Sequence, residues 1–128
     1  MKKAYATDKA PKPLAPYSQV VHAGQYLFLA GQIPLDAEGK MVAGDIAEQT
    51  RQVMNNLKAV LEAAGGRMKN VVKTTIFLAN LDDFEAVNKV YGGYFTEPYP
   101  ARSTIQAARL PRGASIEVDA IAFLPKEE

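Results

Sequence analysis

The sequence predicts an α+β domain in which two helices lie on one face of a six-stranded sheet. Three observations predict it. Two segments, residues 45–66 and 81–95, carry apolar residues at helical spacing. Six shorter runs are rich in β-branched and aromatic residues and are bounded by glycine, proline or asparagine. Their order is β-β-β-α-β-α-β-β, which suits a sheet with helices on one side.

The first short strand lies near "KAYAT". Pro11, Pro13 and Pro16 then make an extended arm, because proline fixes φ and biases its predecessor away from helix. "SQVVHAGQYLFLAG" holds two strands around Gly24, a predicted hairpin. "GQIPLDAEGKMVAG" is a loop, punctuated by Gly31, Pro34, Gly39 and Gly44.

The first helix is the clearest element. Ile46, Val53, Met54, Leu57, Val60, Leu61 and Ala64 form its apolar stripe. Asp45 is placed to cap it, with Glu48 at the capping-box position, and Gly65–Gly66 stops it. Its twenty or so residues span about 30 Å, enough to cross a small sheet. "NVVKTTIFLA" follows as a strand. The second helix is expected from Asp82 as cap, with Phe84, Val87, Tyr91 and Phe95 inward. Asn88 is four residues after Phe84 and three before Tyr91, so it shares that inward face. Gly92–Gly93 weakens the helix end by about 1 kcal/mol per glycine, which makes close approach of another backbone the expected reason for the pair.

Both alternation sets of Val71 to Leu78 contain large hydrophobes. Two helices can cover only one of those faces. The second is expected to be buried by further copies of the chain.

Bulk properties exclude several functions. The 128 residues fit a single domain spanning 1–128. Fifteen basic residues against fourteen acidic ones leave +1, which does not favour nucleic acid as a partner. There is no cysteine, hence no disulfide, thiolate zinc site or cysteine nucleophile. "MKKAYATDKAPKPLAP" lacks the apolar core of a signal peptide, and no run approaches membrane-spanning length. A cytoplasmic protein is expected. His22 is the only histidine and has no partners for a triad or metal site. No nucleophile elbow, Walker A sequence or dinucleotide fingerprint occurs.

The final stretch, "ARSTIQAARLPRGASIEVDAIAF", reads as two strands of a hairpin turning near "RLPRG". Alternation puts Arg102, Thr104 and Gln106 on one face of the first strand. In the second, Ile116, Val118, Ala120 and Ala122 are core, while Ser115, Glu117, Asp119 and Ile121 share the other face. A hairpin would set Arg102 opposite Glu117 or Asp119. From the residues alone two readings stand. One is a cross-strand salt bridge, worth at most about 1 kcal/mol if exposed. The other is a pocket in which Arg102 grips a substrate carboxylate while a carboxylate side chain handles water.

Several motifs together resemble one family. They are "APYSQVV", "LAGQIPLD", "AEQTRQVMNNLKAVLEAAG", "VVKTTIFLANLDDFEAVN" and "YPARSTIQAARLPRGASIEVDAIA". In order and spacing, from Tyr17 to Phe123, they resemble the Rid (YjgF-like) family of reactive-intermediate deaminases, also labelled endoribonuclease L-PSP. The resemblance implies a chorismate-mutase-like mixed sheet, a homotrimer, and sites in clefts between subunits. It implies hydrolysis of 2-imino acids such as 2-iminobutanoate and 2-iminopropanoate to 2-keto acids and ammonia. The imines would come from pyridoxal-phosphate enzymes such as threonine dehydratase, and no cofactor or metal is implied.

Position by position, the resemblance assigns the substrate carboxylate to Arg102 and the attacking water to Glu117. Gly31 would offer a backbone N–H, Tyr17 and Asn88 would line the cleft, and residue 104 would touch ligand through its backbone. Two positions depart from the common pattern: Ala30 stands where many relatives have serine, and Thr104 where the best-known deaminases have cysteine. The rival reading is a non-catalytic trimeric binder of small carboxylates, or a chaperone-like protein. It would keep Arg102 and need no base. A ribonuclease fits poorly with +1 net charge and no basic–aromatic stretch.

Overall fold

The structure is a computed structural model that describes residues 1–126. Its strands are β1 (Lys3–Tyr5), β2 (Val20–Ala23), β3 (Tyr26–Gln32), β4 (Val71–Leu78), β5 (Ala101–Gln106) and β6 (Ile116–Phe123). The helices are α1 (Ile46–Ala63) and α2 (Phe84–Gly92). The predicted element order is therefore found. One mixed sheet runs β1-β2-β3-β6-β4-β5, parallel only between β4 and β5.

That order corrects the predicted terminal hairpin. β5 and β6 never pair; β4 lies between them. The connection over residues 107–115 includes a 3-10 turn, Pro111–Gly113, where Arg112 and Gly113 take φ of 57° and 69°. It needs to step across one intervening strand, roughly 10 Å, which nine residues span easily. Nothing in the local turn chemistry distinguishes this from a wide hairpin.

The first helix forms as its pattern requires. Asp45 accepts from the Glu48 amide at 3.0 Å, and Gly65 ends the helix at φ 85°. Val53, Met54, Leu57, Val60 and Leu61 are all but fully buried against Leu27, Leu29, Ile76, Val118 and Ala120. Each such side chain contributes about 1.5–3 kcal/mol of transfer free energy. The second helix begins later than expected. Asn80, not Asp82, caps a 3-10 turn over Leu81–Asp83, and α2 starts at Phe84. Gly92 has open space where a Cβ would sit, so the glycine pair ends the helix and admits no neighbouring backbone.

Both helices pack on the face that carries Leu27, Leu29, Ile76, Leu78, Ile116 and Val118. On the opposite face Tyr26 pairs with Phe123, and Phe28 with Ile121. Phe77 lies between Ile105 and Glu117 there. No element among the described residues covers this face: Tyr26, Phe28 and Ile105 remain 45%, 46% and 49% exposed. The uncovered apolar face that the sequence implies is thus present.

Two buried amides hold the irregular segments onto this frame. Gln19, 3% exposed, accepts from Thr7 N and donates to the carbonyls of Thr7 and Pro11, tying the proline arm to β2. Asn56, 1% exposed on α1, donates to the carbonyls of Ile33 and Leu35 at 3.4 and 2.9 Å. Asn56→Ala orphans both carbonyls and should cost about 1–3 kcal/mol. Urea unfolding at fixed protein concentration should show a lower midpoint at an unchanged slope; an unmoved midpoint would show that the loop is held by other means.

Candidate active site

Strand β4 serves as a ruler for the site. Thr74 pairs with Arg102 across β4–β5, and Phe77 pairs with Glu117 across β4–β6. Positions 74 and 77 differ by an odd number, so their side chains lie on opposite faces. Arg102 and Thr104 are on the helix side, and Glu117 and Asp119 are on the uncovered side. The expected juxtaposition of Arg102 with Glu117 or Asp119 does not occur within one chain, and the cross-strand salt bridge is excluded with it. Among the described residues the single ion pair is Arg51–Glu48 on α1.

Five of the six residues that the sequence singles out for the site line two grooves, and Thr104, on the same face of β5 as Arg102, lines neither. A groove of about 400 Å³ is lined by Leu14, Tyr17, Ala30, Gly31, Pro111 and Glu117, among others. A second, of about 330 Å³, is lined by Asn88, Tyr91, Gly92, Tyr99, Pro100 and Arg102. A larger groove, about 510 Å³, lies at the other end of β6 beside His22 and Arg67 and holds none of the six.

Local structure explains the first groove. Leu29 pairs with Ala120 and Gln32 with Val118, so Ala30 and Gly31 face the single residue Asp119 as a β-bulge. The bulge brings the chain beneath Glu117, and a Cβ on Gly31 would collide with the Glu117 carboxylate. Glycine leaves room for the Glu117 carboxylate against the β3 backbone, and a larger residue at 31 would push that carboxylate aside. Tyr17, 49% exposed, reaches the groove from the arm that Gln19 anchors, and its hydroxyl accepts from the Leu14 amide at 3.4 Å. Burial pushes the Glu117 pKa up, and the neighbouring Asp119 charge pushes it the same way. A carboxyl shifted upward can exchange protons nearer neutral pH than an ordinary glutamate.

The second groove lies between α2 and edge strand β5. The Arg102 guanidinium carbon is 5.2 Å from the Phe84 ring centre and 5.1 Å from that of Tyr91. Asn88 lines the same groove, as its spacing between Phe84 and Tyr91 requires. The Asn88 Oδ1 and Thr104 Oγ1 atoms are buried without a hydrogen-bond partner. Sequence reasoning placed Phe84 and Tyr91 in the core and did not connect them with Arg102. The signal was their shared stripe with Asn88; the register of α2 against β5 was not legible.

The comparisons with known proteins agree with this architecture. The endoribonuclease L-PSP family profile matches residues 7–124. The chain belongs to this YjgF/Rid family. It is 45% identical over 125 residues to the 2-iminobutanoate/2-iminopropanoate deaminase of Salmonella typhimurium, covering 95% of this chain and 98% of that one. It is 48% identical over 124 residues to the chloroplastic Reactive Intermediate Deaminase A of Arabidopsis thaliana, covering 96% of this chain and 66% of the longer plant protein. The crystal structure of the Escherichia coli YjgF gene product is similar at TM-score 0.89 and 44% identity, over 94% of this chain and 98% of that one. Like those of other Rid-family proteins, the fold is a mixed sheet with two helices, and none of the described helices is long and apolar enough to cross a membrane.

The Glu117 environment has a measurable consequence. A carboxyl whose native pKa is raised is protonated more readily in the native state than in the unfolded one. Stability therefore falls as pH rises from the ordinary glutamate range, about 4.3, through the higher native value. Glu117→Gln should match wild type in stability below pH 4 and exceed it at pH 7, as read by thermal unfolding at both. A variant less stable at pH 7 would mean that a cation, not burial, governs Glu117.

Proposed function

We propose that the protein hydrolyses small 2-imino acids, such as 2-iminobutanoate and 2-iminopropanoate, to 2-keto acids and ammonia, in sites completed between subunits of a homotrimer. The observation that carries this reading is the separation of the site residues. Tyr17, Gly31 and Glu117 line one groove, and Asn88 and Arg102 line another on the opposite sheet face. Neither half contains both an anion grip and a base. A second copy resting on the uncovered face would bury its apolar side chains and could bring the edge-strand Arg102 of one subunit toward Glu117 of the next. The deaminase names of the Salmonella and Arabidopsis relatives support the substrate class.

The chemistry suits these groups. Arg102 presents a planar fork of donors that matches a carboxylate, and charge-assisted bonds of this kind are worth about 1.5–3 kcal/mol each. A protonated imine carbon is already electrophilic. Water adds to it, its oxygen forming the new C–O bond as Glu117 takes a proton. The same proton returns to nitrogen, the C–N bond breaks and ammonia leaves, and Glu117 takes the remaining hydroxyl proton as the keto group forms. Upstream, the imine would be released by a pyridoxal-phosphate enzyme, and its removal would protect such enzymes from a reactive product. The residues implied for this reaction act without a cofactor, in a compartment taken to be the cytoplasm.

Two experiments test the reading. Glu117→Gln is nearly isosteric but cannot take a proton, so the rate of hydrolysis of enzymatically generated 2-iminobutanoate should fall about a hundredfold or more. Affinity for 2-oxobutanoate should change little. Hydrolysis unchanged from wild type would overturn Glu117 as the base, wild-type hydrolysis no faster than the spontaneous reaction would favour the non-catalytic carboxylate binder, and a larger loss in Asp119→Asn would mean that the other carboxylate does the work. Arg102→Lys keeps the charge and loses the fork, and should weaken 2-oxobutanoate binding at least about tenfold, or 1.4 kcal/mol.

The second experiment concerns assembly. Ultracentrifugation should find a trimer at micromolar concentration. Co-refolded Arg102→Lys and Glu117→Gln chains should regain part of the activity that each lacks alone, because mixed trimers contain some sites with both wild-type halves. A monomer, or mixtures no more active than the parents, would falsify the shared site.

A further inference from the structure

We propose that Phe84 and Tyr91 are positioning residues for Arg102: the two rings hold its guanidinium in place without a counter-charge, leaving the donor fork open to a carboxylate ligand. The inference rests on the reading of Arg102 as the carboxylate grip, and adds how that grip is held.

Arg102 is a partly buried cation with no ion pair and no hydrogen bond to another described residue. Such a side chain has many rotamers, and something must select one. The usual device, a neighbouring carboxylate, would occupy the same N–H groups that a ligand needs and cancel the charge that attracts it. Here the contacts are two aromatic faces, at 5.2 and 5.1 Å from the guanidinium carbon, within the roughly 6 Å range of cation–π attraction. An aromatic face attracts the cation through its quadrupole and can leave the in-plane donors free.

The rings are themselves held. The Tyr91 hydroxyl is hydrogen-bonded to Thr74 Oγ1 at 2.7 Å in the buried core, and its ring lies 4.9 Å from that of Phe95. Thr74 is the β4 partner of Arg102 in the parallel ladder, so one strand position sets both the cation and the ring beside it. Phe84 opens α2 one side-chain stripe away, seven residues before Tyr91 with Asn88 between them. It is 39% exposed, a large apolar ring kept at the surface over the arginine when the core of α2 is supplied by Val87 and Tyr91. The charge assignments point the same way. Burial raises the Tyr91 pKa while the Thr74 bond and Arg102 oppose the rise, so the phenol stays protonated and Arg102 gains no anion from it at neutral pH.

The test is calorimetric titration of the assembled protein with 2-oxobutanoate. Phe84→Leu removes the π face but stays apolar, and should weaken binding about threefold to fivefold, the scale of one partly exposed cation–π contact. Phe84→Tyr restores a face and should bind as wild type does. Tyr91→Phe keeps the ring but frees it from Thr74, and should lie between. Phe84→Met gives the same comparison as Phe84→Leu should the leucine variant fail to assemble. Leucine and tyrosine variants that both bind like wild type, beside an Arg102→Lys variant that does not, would overturn the cradle and leave the carboxylate grip standing. A wild-type protein that binds no 2-oxobutanoate would overturn the grip, and the cradle with it. A loss of thermal stability in Phe84→Leu with unchanged affinity would reduce Phe84 to packing.

Discussion

The position of β4 governs the rest of the structure. It stands between β5 and β6, parallel to one and antiparallel to the other, and its residues alternate between a helix-covered face and an uncovered one. Pairing with Thr74 commits Arg102 to the covered face, and pairing with Phe77 commits Glu117 to the uncovered face. A slip of one residue in the β4–β6 ladder would exchange the faces and also expel Val118 from the core. Hydrophobic burial of the alternate β6 side chains thus holds Glu117 on the face away from Arg102.

Each charged group is then prepared separately. Glu117 sits over a bulge in β3, its carboxylate in the space a side chain on Gly31 would take, and partial burial beside Asp119 raises its proton affinity. Arg102 sits at the sheet edge beneath two rings of α2. The first environment favours a proton-exchanging carboxyl and the second an available cation. One chain thus carries two grooves of opposite character on opposite sheet faces, and no described element covers the apolar face beside Glu117.

Polar side chains buried in the scaffold connect these halves to the core. Gln19 fixes the arm that carries Tyr17, and Asn56 fixes the loop after Gly31. Thr74 fixes Tyr91. None of the three stands out in the sequence, because a buried amide or hydroxyl is recognised only by the carbonyls and hydroxyls that surround it.

By itself the sequence determined the order of elements, the apolar stripe of α1, the extended arm, the alternation of β6 and the need to cover a second sheet face. All of these follow from side-chain periodicity and from the restricted backbones of proline and glycine, which are local properties. The family motifs also picked out Tyr17, Gly31, Asn88, Arg102, Thr104 and Glu117 from a chain of ordinary composition. Only the tertiary structure decided that β5 pairs with β4 instead of β6, because the 107–115 connection carries turn residues that serve a hairpin and a crossover equally well. That one choice of neighbour sets the site residues on two faces. It is a pairing between segments distant in the chain, and no short stretch of sequence contains it.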